Sequence, residues 1–486
     1  MSRPKSRFGC LPPALLALAF SSAAAAELSG GASERDFLDE LPVVLTASRL
    51  LQPLADAPGA VTIIDRNMIK ASGAREVIDL FRLVPGFQVG TAYYSTPVAA
   101  YHGLADEYSR HVQVLVDGRS AYSPYYLGSI AWNSLRLSLE EIERIEVLRG
   151  SNSAAYGANA FLGVINIITR HPSQSQGAYL SATQGSQGIS DQVLRYGGSQ
   201  GDLHYRITAG RRSDSGFANF HDSRQASHVA FRGDMRLTPR DELQIQFGAS
   251  KNATGAGFAG SSGDPERTLH EKGYFAQAVW RRSLGLDEEL MVNAYHMEDE
   301  GNENYTVTGS IRNPFPFPPT RLSAFVDADR RIKRTHLELQ HIFRLNPAAR
   351  VVWGFEQRHE SVSSRFMFDT SDPQTTSLSR LFGNLEWRLT PKWLLNAGAM
   401  LEKHSFTGTD LAPRLMLNFQ PSPEHTLRAG MSTAYRSPSL AEERGKVRYY
   451  ITAVPPAPFP PTQMVQTTLL SKTDYDVGSS DGVGCG

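Results

Sequence analysis

The feature that most constrains this chain is an alternation that recurs from about residue 172 onward. In ELQIQFGASK (242–251), Leu243, Ile245 and Phe247 fall on one face of an extended segment while Gln244 and Gln246 fall on the other. LHYRITAGRR (203–212), YFAQAVWRRS (274–283), RVVWGFEQRHE (350–360), WLLNAGAMLEKH (393–404) and TLRAGMSTAYR (426–436) repeat the style. A period of two over strand-length segments, with short and long connections alternating, is what a transmembrane β-barrel requires, because its lipid face is apolar and its lumen face polar. A soluble β-sandwich or solenoid can carry the same period. Two features favour the barrel. Aromatic residues stand near segment ends (Tyr205, Tyr274, Trp280, Trp353, Trp387, Trp393, Tyr435), as interfacial girdles demand. The connections LTPRDE (237–242) and LTPKW (389–393) are tight, whereas 299–321 is long and Pro-rich.

The start of the chain sets the compartment. Arg3, Lys5 and Arg7 precede the apolar run LPPALLALAF, which closes on Ala23 to Ala26, so residues 1–26 read as a secretory signal peptide. The mature chain is then expected to begin near Glu27, outside the cytoplasm. No other apolar run is long enough for a membrane-spanning helix. Basic and acidic residues balance at 49 each, which argues against a nucleic-acid partner. The two cysteines, Cys10 and Cys485, offer no disulfide framework. HExxH and P-loop motifs are absent and the 13 histidines lack ligand spacing, so the sequence suggests no catalytic site, no metal and no cofactor.

Between the signal and the alternating region lies a different composition. Within an N-terminal segment of 27–52, residues 27–40 are polar and acidic and lead into LPVVLTASR (41–49), and residues 53–171 read as one small α+β unit. GAVTIID, VPGFQV, HVQVLVDGRS and GVINIITR are strand-like, and REVIDLFRLV places Val77, Ile78, Phe81 and Val84 at helical spacing. The stretch EEIERIEVLRGSNSAAYGANAFLGVINIITR (140–170) sets a dense patch of Ser, Asn, Ala and Gly between two strands.

That stretch resembles the end of the plug domain in TonB-dependent outer-membrane receptors, through IERIEVLRG (142–150), Tyr156, Gly157, Ala160 and GVINIITR (163–170). Ser151 stands where the family usually has Pro. HVQVLVDGRS, IDLFRLVPGFQV and the barrel segment APRLMLNFQPSPEHTLRAGMSTAYRSPSLAEE (412–443) extend the likeness from about Leu41 to Glu443. The resemblance implies a membrane β-barrel (172–470) with an N-terminal α+β plug, located in the outer membrane. It also implies active import of a scarce ligand, a ferric siderophore before cobalamin or haem, with energy supplied by TonB. Haem relatives usually carry a His after the YRSP-like segment, and no His follows His425 here. The open alternatives are a passive porin, an adhesin-like barrel, or a non-functional fragment.

By the same resemblance, Pro42, Val43, Val44, Leu45, Thr46 and Ala47 occupy the place of the TonB box, which would add itself as a strand to its partner's sheet edge. Tyr93, Tyr94, Tyr122, Tyr125 and Tyr126 lie in loops expected at the outward plug apex, as ligand contacts or as packing. Arg149, Gly150, Tyr156, Gly157, Gly163 and Asn166 are expected to be structural, because a plug running against other backbones needs residues without bulk. Arg149, Glu141, Glu143 and Glu146 are expected to pair with the inner barrel face. About 14 candidate strands follow the plug, against about 22 in plugged barrels of this class, and the tail 471–486 is polar and Gly-rich. The barrel is therefore expected to be incomplete.

Overall fold

The computed structural model describes residues 43–92, 95–103, 110–314, 316–423, 425–456 and 460–469. The signal segment, Pro42, Tyr93, Tyr94 and the 471–486 tail lie outside the described residues.

The alternating region forms one antiparallel sheet of 13 strands, from Gly177–Gln184 to His425–Ser432, each paired with its neighbours in chain order apart from one excursion. Its two end strands do not pair with each other. Four further strands (Asn304–Ile311, Thr320–Asp327, Lys446–Val454, Thr462–Leu469) make a separate sheet. They branch off at the end remote from the tight turns, so the strand count divides into a wall and an outer sheet. Apart from the two end strands, of 8 residues each, the wall strands exceed the roughly ten residues that span lipid; Thr370–Thr390 has 21. The long strands continue past the apolar band.

Register decides which face each residue takes. His336, Glu338 and Gln340 on Arg330–Asn346 are buried with Arg334, while Leu337 between them is 49% exposed. Gln244, Gln246, Glu356, Arg358, Arg380, Asn396 and Glu402 are likewise buried, and Phe247, Phe355, Leu381, Leu401 and Leu415 are exposed. The polar side faces inward and the apolar side outward, the reverse of a water-soluble sheet. Trp280, Trp353, Trp387 and Trp393 stand on the outward side near the tight turns. The Trp280 Nε1–H donates to Asp241 at 3.2 Å and the Trp393 ring stacks on Phe419 at 4.4 Å.

The wall is filled by the α+β unit. Its five-stranded sheet runs in the order Ala60–Ile64, Ile142–Arg149, Gly163–Thr169, Val112–Val116, Arg119–Ser120, and only Val112–Val116 with Gly163–Thr169 is parallel. REVIDLFRLV coils as a 3-10 helix, Val77–Leu83, which buries Val77, Ile78, Leu80 and Phe81 against this sheet. Pro85 follows closely and bars a longer helix. Ion pairs join the plug to wall strands near both ends of the big sheet. Arg75 binds Asp191 at 2.6 Å and Asp214 at 2.7 Å, and Asp56 pairs with Arg388. The sheet therefore wraps the plug.

Candidate functional site

At the tight-turn end, residues 44–50 run into the interface between plug and wall. Val43–Val44 pairs antiparallel with Gln52–Pro53, so the segment folds back on itself. Val44, Thr46 and Ala47 are fully buried. The Glu146 carboxylate accepts the N–H groups of Leu45 and Thr46, each at 2.9 Å, and the Thr46 hydroxyl at 2.6 Å. Asn152 donates to the Thr46 carbonyl at 3.1 Å, and Arg414 of the wall donates to the Ala47 carbonyl at 3.0 Å. Arg49 pairs with Glu338 of the wall, donates to the Ala155 carbonyl at 2.7 Å, and lies 4.7 Å from the Tyr156 ring and 4.1 Å from Phe382. The segment expected as a partner-binding strand is thus fastened to both bodies. A cavity of about 260 Å³ opens beside it, lined by Arg49, Tyr156, His336, Glu338 and Glu356 among others.

The small-residue patch explains how the plug comes so close. Gly157 has φ +82, and a Cβ there would lie 2.4 Å from Arg380 Nε, whose guanidinium bridges Glu402 at 2.6 Å and Glu356 at 3.1 Å. At Gly163 a Cβ would lie 2.6 Å from the Leu148 carbonyl, so the neighbouring strands could not close. Gly150 (φ +94) turns the chain in open space. Tyr156 and Asn166 are buried and Arg149 is half-buried. Of the plug acids, Glu141 faces the wall, 3.4 Å from Arg206, whereas Glu143 meets Arg170 at 3.5 Å within the plug. The expectation that Glu146 pairs with the barrel is corrected: it is bound by Arg144 at 2.8 Å and by the N-terminal segment. Backbone N–H donors reach it before any wall cation does.

At the opposite end, a vestibule of about 550 Å³ lies between plug loops and the upper strand ends. Tyr125 and Tyr126 line it, their rings edge to face at 5.1 Å. Tyr126 donates its hydroxyl to Glu271 at 2.8 Å, and Arg330 binds the same carboxylate at 2.6 Å. Tyr122 is placed elsewhere: it packs in the plug core, with its carbonyl accepting from Arg334 at 2.6 Å. Burial pushes the Tyr122 and Tyr125 phenols up, so both stay neutral. Sequence reasoning missed Glu271, Glu303, Arg330, Phe366 and Met367. They come from strands and loops far apart in the chain, and no local spacing marks them.

Comparison with known proteins agrees with this architecture. The family described as TonB-dependent Receptor Plug Domain matches residues 53–164, and TonB dependent receptor-like, beta-barrel matches 170–469. An iron-regulated outer membrane virulence protein of Vibrio cholerae is 26% identical over 474 residues; the match covers 90% of this chain and 65% of that relative's length. The vitamin B12 transporter BtuB of Vibrio vulnificus is 35% identical over 144 residues, covering 30% of this chain and 23% of that protein. Among solved structures, the ferric enterobactin receptor of Pseudomonas aeruginosa superposes with a TM-score of 0.63 at 16% identity, over 85% of this chain and 70% of that one. The siderophore receptor PirA of Acinetobacter baumannii gives 0.60 at 16%, over 80% and 63%.

Proposed function

The chain belongs to the TonB-dependent receptor family, and on that premise we propose that it works in the outer membrane as an active importer of a ferric siderophore. Ligand enters the vestibule at the long-loop end, and TonB pulls the 42–47 segment at the other end to disturb the plug. The observation that carries this reading is the double attachment of residues 44–49, to Glu146 of the plug and to Glu338 and Arg414 of the wall. A strand fastened to both bodies passes an applied force to the contact between them. A passive pore has no use for it, and ion pairs between plug and wall, half-buried at Arg75–Asp191 and buried at Glu141–Arg206, oppose free diffusion through the lumen.

The test is uptake of iron-55-labelled siderophores by iron-starved cells lacking their own receptors and expressing this chain, with and without TonB. TonB-dependent accumulation is expected. Accumulation that is equal in both strains, or absent for every siderophore offered, overturns the reading.

A further inference from the structure

We infer that the vestibule selects an electroneutral metal chelate with an apolar face, against polyanionic chelates of similar size. This rests on the transport reading above and adds the charge class of the ligand. The volume of about 550 Å³ suits a single chelate of several hundred daltons.

The charged groups of the lining decide the point. Among the described residues of the lining, Arg330 is the one cation, against two carboxylates, Glu271 and Glu303. Arg330 is already engaged by Glu271 at 2.6 Å and by Glu303 at 3.7 Å, and lies 5.4 Å and 5.1 Å from the Tyr125 and Tyr126 rings. Arg267, which touches the lining through Glu303, is held by Asp264 at 2.6 Å and Glu303 at 2.7 Å. A trianionic ligand would meet a lining of net charge −1 whose cation is committed, and would have to break that cluster to gain a counter-ion. The cost of a buried charge without a partner falls on such a ligand and spares a neutral one. Burial also keeps the two phenols protonated, so they add no charge, and the Tyr126 proton is already given to Glu271. The remaining surface is apolar and aromatic, from Leu127, Ile130, Trp132, Phe366 and Met367, which suits flat or methylene-rich ligand faces. Thr96, Ser129, Asn133 and Thr254 supply uncharged polar contacts.

The experiment compares three probes on the purified full chain by titration calorimetry: a neutral ferric trihydroxamate, cyanocobalamin, and a trianionic ferric tris-catecholate. At least one of the two neutral probes should bind tenfold or more tightly than the tris-catecholate, and which one does so identifies the source of the neutral chemistry. Leu269→Lys, which adds a cation to the lining, should narrow the gap by tenfold; Glu303→Gln should act in the same direction, so one misfolded variant does not end the test. Tightest binding of the tris-catecholate by the unaltered chain overturns the charge assignment and leaves the transport reading standing. Failure of all three probes both to bind and to enter cells overturns the two together.

Discussion

Glu146 holds Thr46 by two atoms at once: one carboxylate oxygen accepts the Thr46 N–H at 2.9 Å and its hydroxyl at 2.6 Å, in a site closed to solvent. The residue from the middle of the IERIEVLRG strand therefore closes the N-terminal segment onto the plug. An N–H bound to Glu146 is not free to pair with another chain's strand, so the segment must be released before it can serve as an edge. Loss of a buried charged acceptor costs about 1.5–3 kcal/mol per hydrogen bond. Glu146→Ala is expected to raise the thiol-labelling rate of Val44→Cys by at least tenfold in isolated membranes. An unchanged rate would remove Glu146 from the role of fastening.

Val44→Pro probes the same segment from the other direction. Pro removes the backbone N–H and fixes φ, both hostile to a strand that pairs by its edge. Siderophore uptake is expected to fall to the level of cells without TonB while surface binding persists. Normal transport by this variant would show that residues 42–47 are not the coupling segment.

Gly157→Ala should cost about 1–3 kcal/mol through overpacking alone, with added strain from φ +82. The new methyl would displace Arg380 and so disturb its pairs with Glu356 and Glu402. A lower melting temperature and faster trypsin cleavage of the plug are the expected readouts. Gly150→Ala meets no atoms within 4 Å and should show strain only.

Acid should loosen the plug through Asp117. Burial pushes this carboxyl up, but Arg232, the Thr169 N–H and hydroxyl, and the Gln246 amide outweigh it and hold Asp117 below its usual range. A depressed folded-state value means its contribution is complete above about pH 4, the unfolded range. It is lost as pH falls through the lower folded value. Asp117→Asn is expected to lower the melting temperature at pH 7 and to flatten its fall below pH 4. Parallel curves for variant and parent would contradict the assignment.

Much of the architecture was legible from residue order because a strand period is a local property. Alternation of Leu243, Ile245 and Phe247 with Gln244 and Gln246 correctly assigns lipid and lumen faces, and REVIDLFRLV correctly marks a buried helical turn, though of the tighter 3-10 kind. Close backbone approach could be anticipated at Gly157 and Gly163, since absence of a side chain is itself written in the sequence. The branching of Asn304–Ile311 and Thr320–Asp327 into a separate sheet was not legible. Asn304–Ile311 lies in the stretch read as a long Pro-rich connection, and partner choice, which separates the two sheets, is not a local property.

What the sequence determined by itself is the membrane-facing wall and the mixed domain that fills it, because period, composition and motif order are readable over a few residues. Which ions meet was decided by the tertiary structure alone. Arg49 finds Glu338 and Tyr126 finds Glu271 across 289 and 145 residues of chain, and Glu146 turns to Thr46 rather than to the wall. A buried charge is satisfied by whichever partner the sheet-and-plug geometry brings within hydrogen-bond reach, and that distance has no signature along the chain.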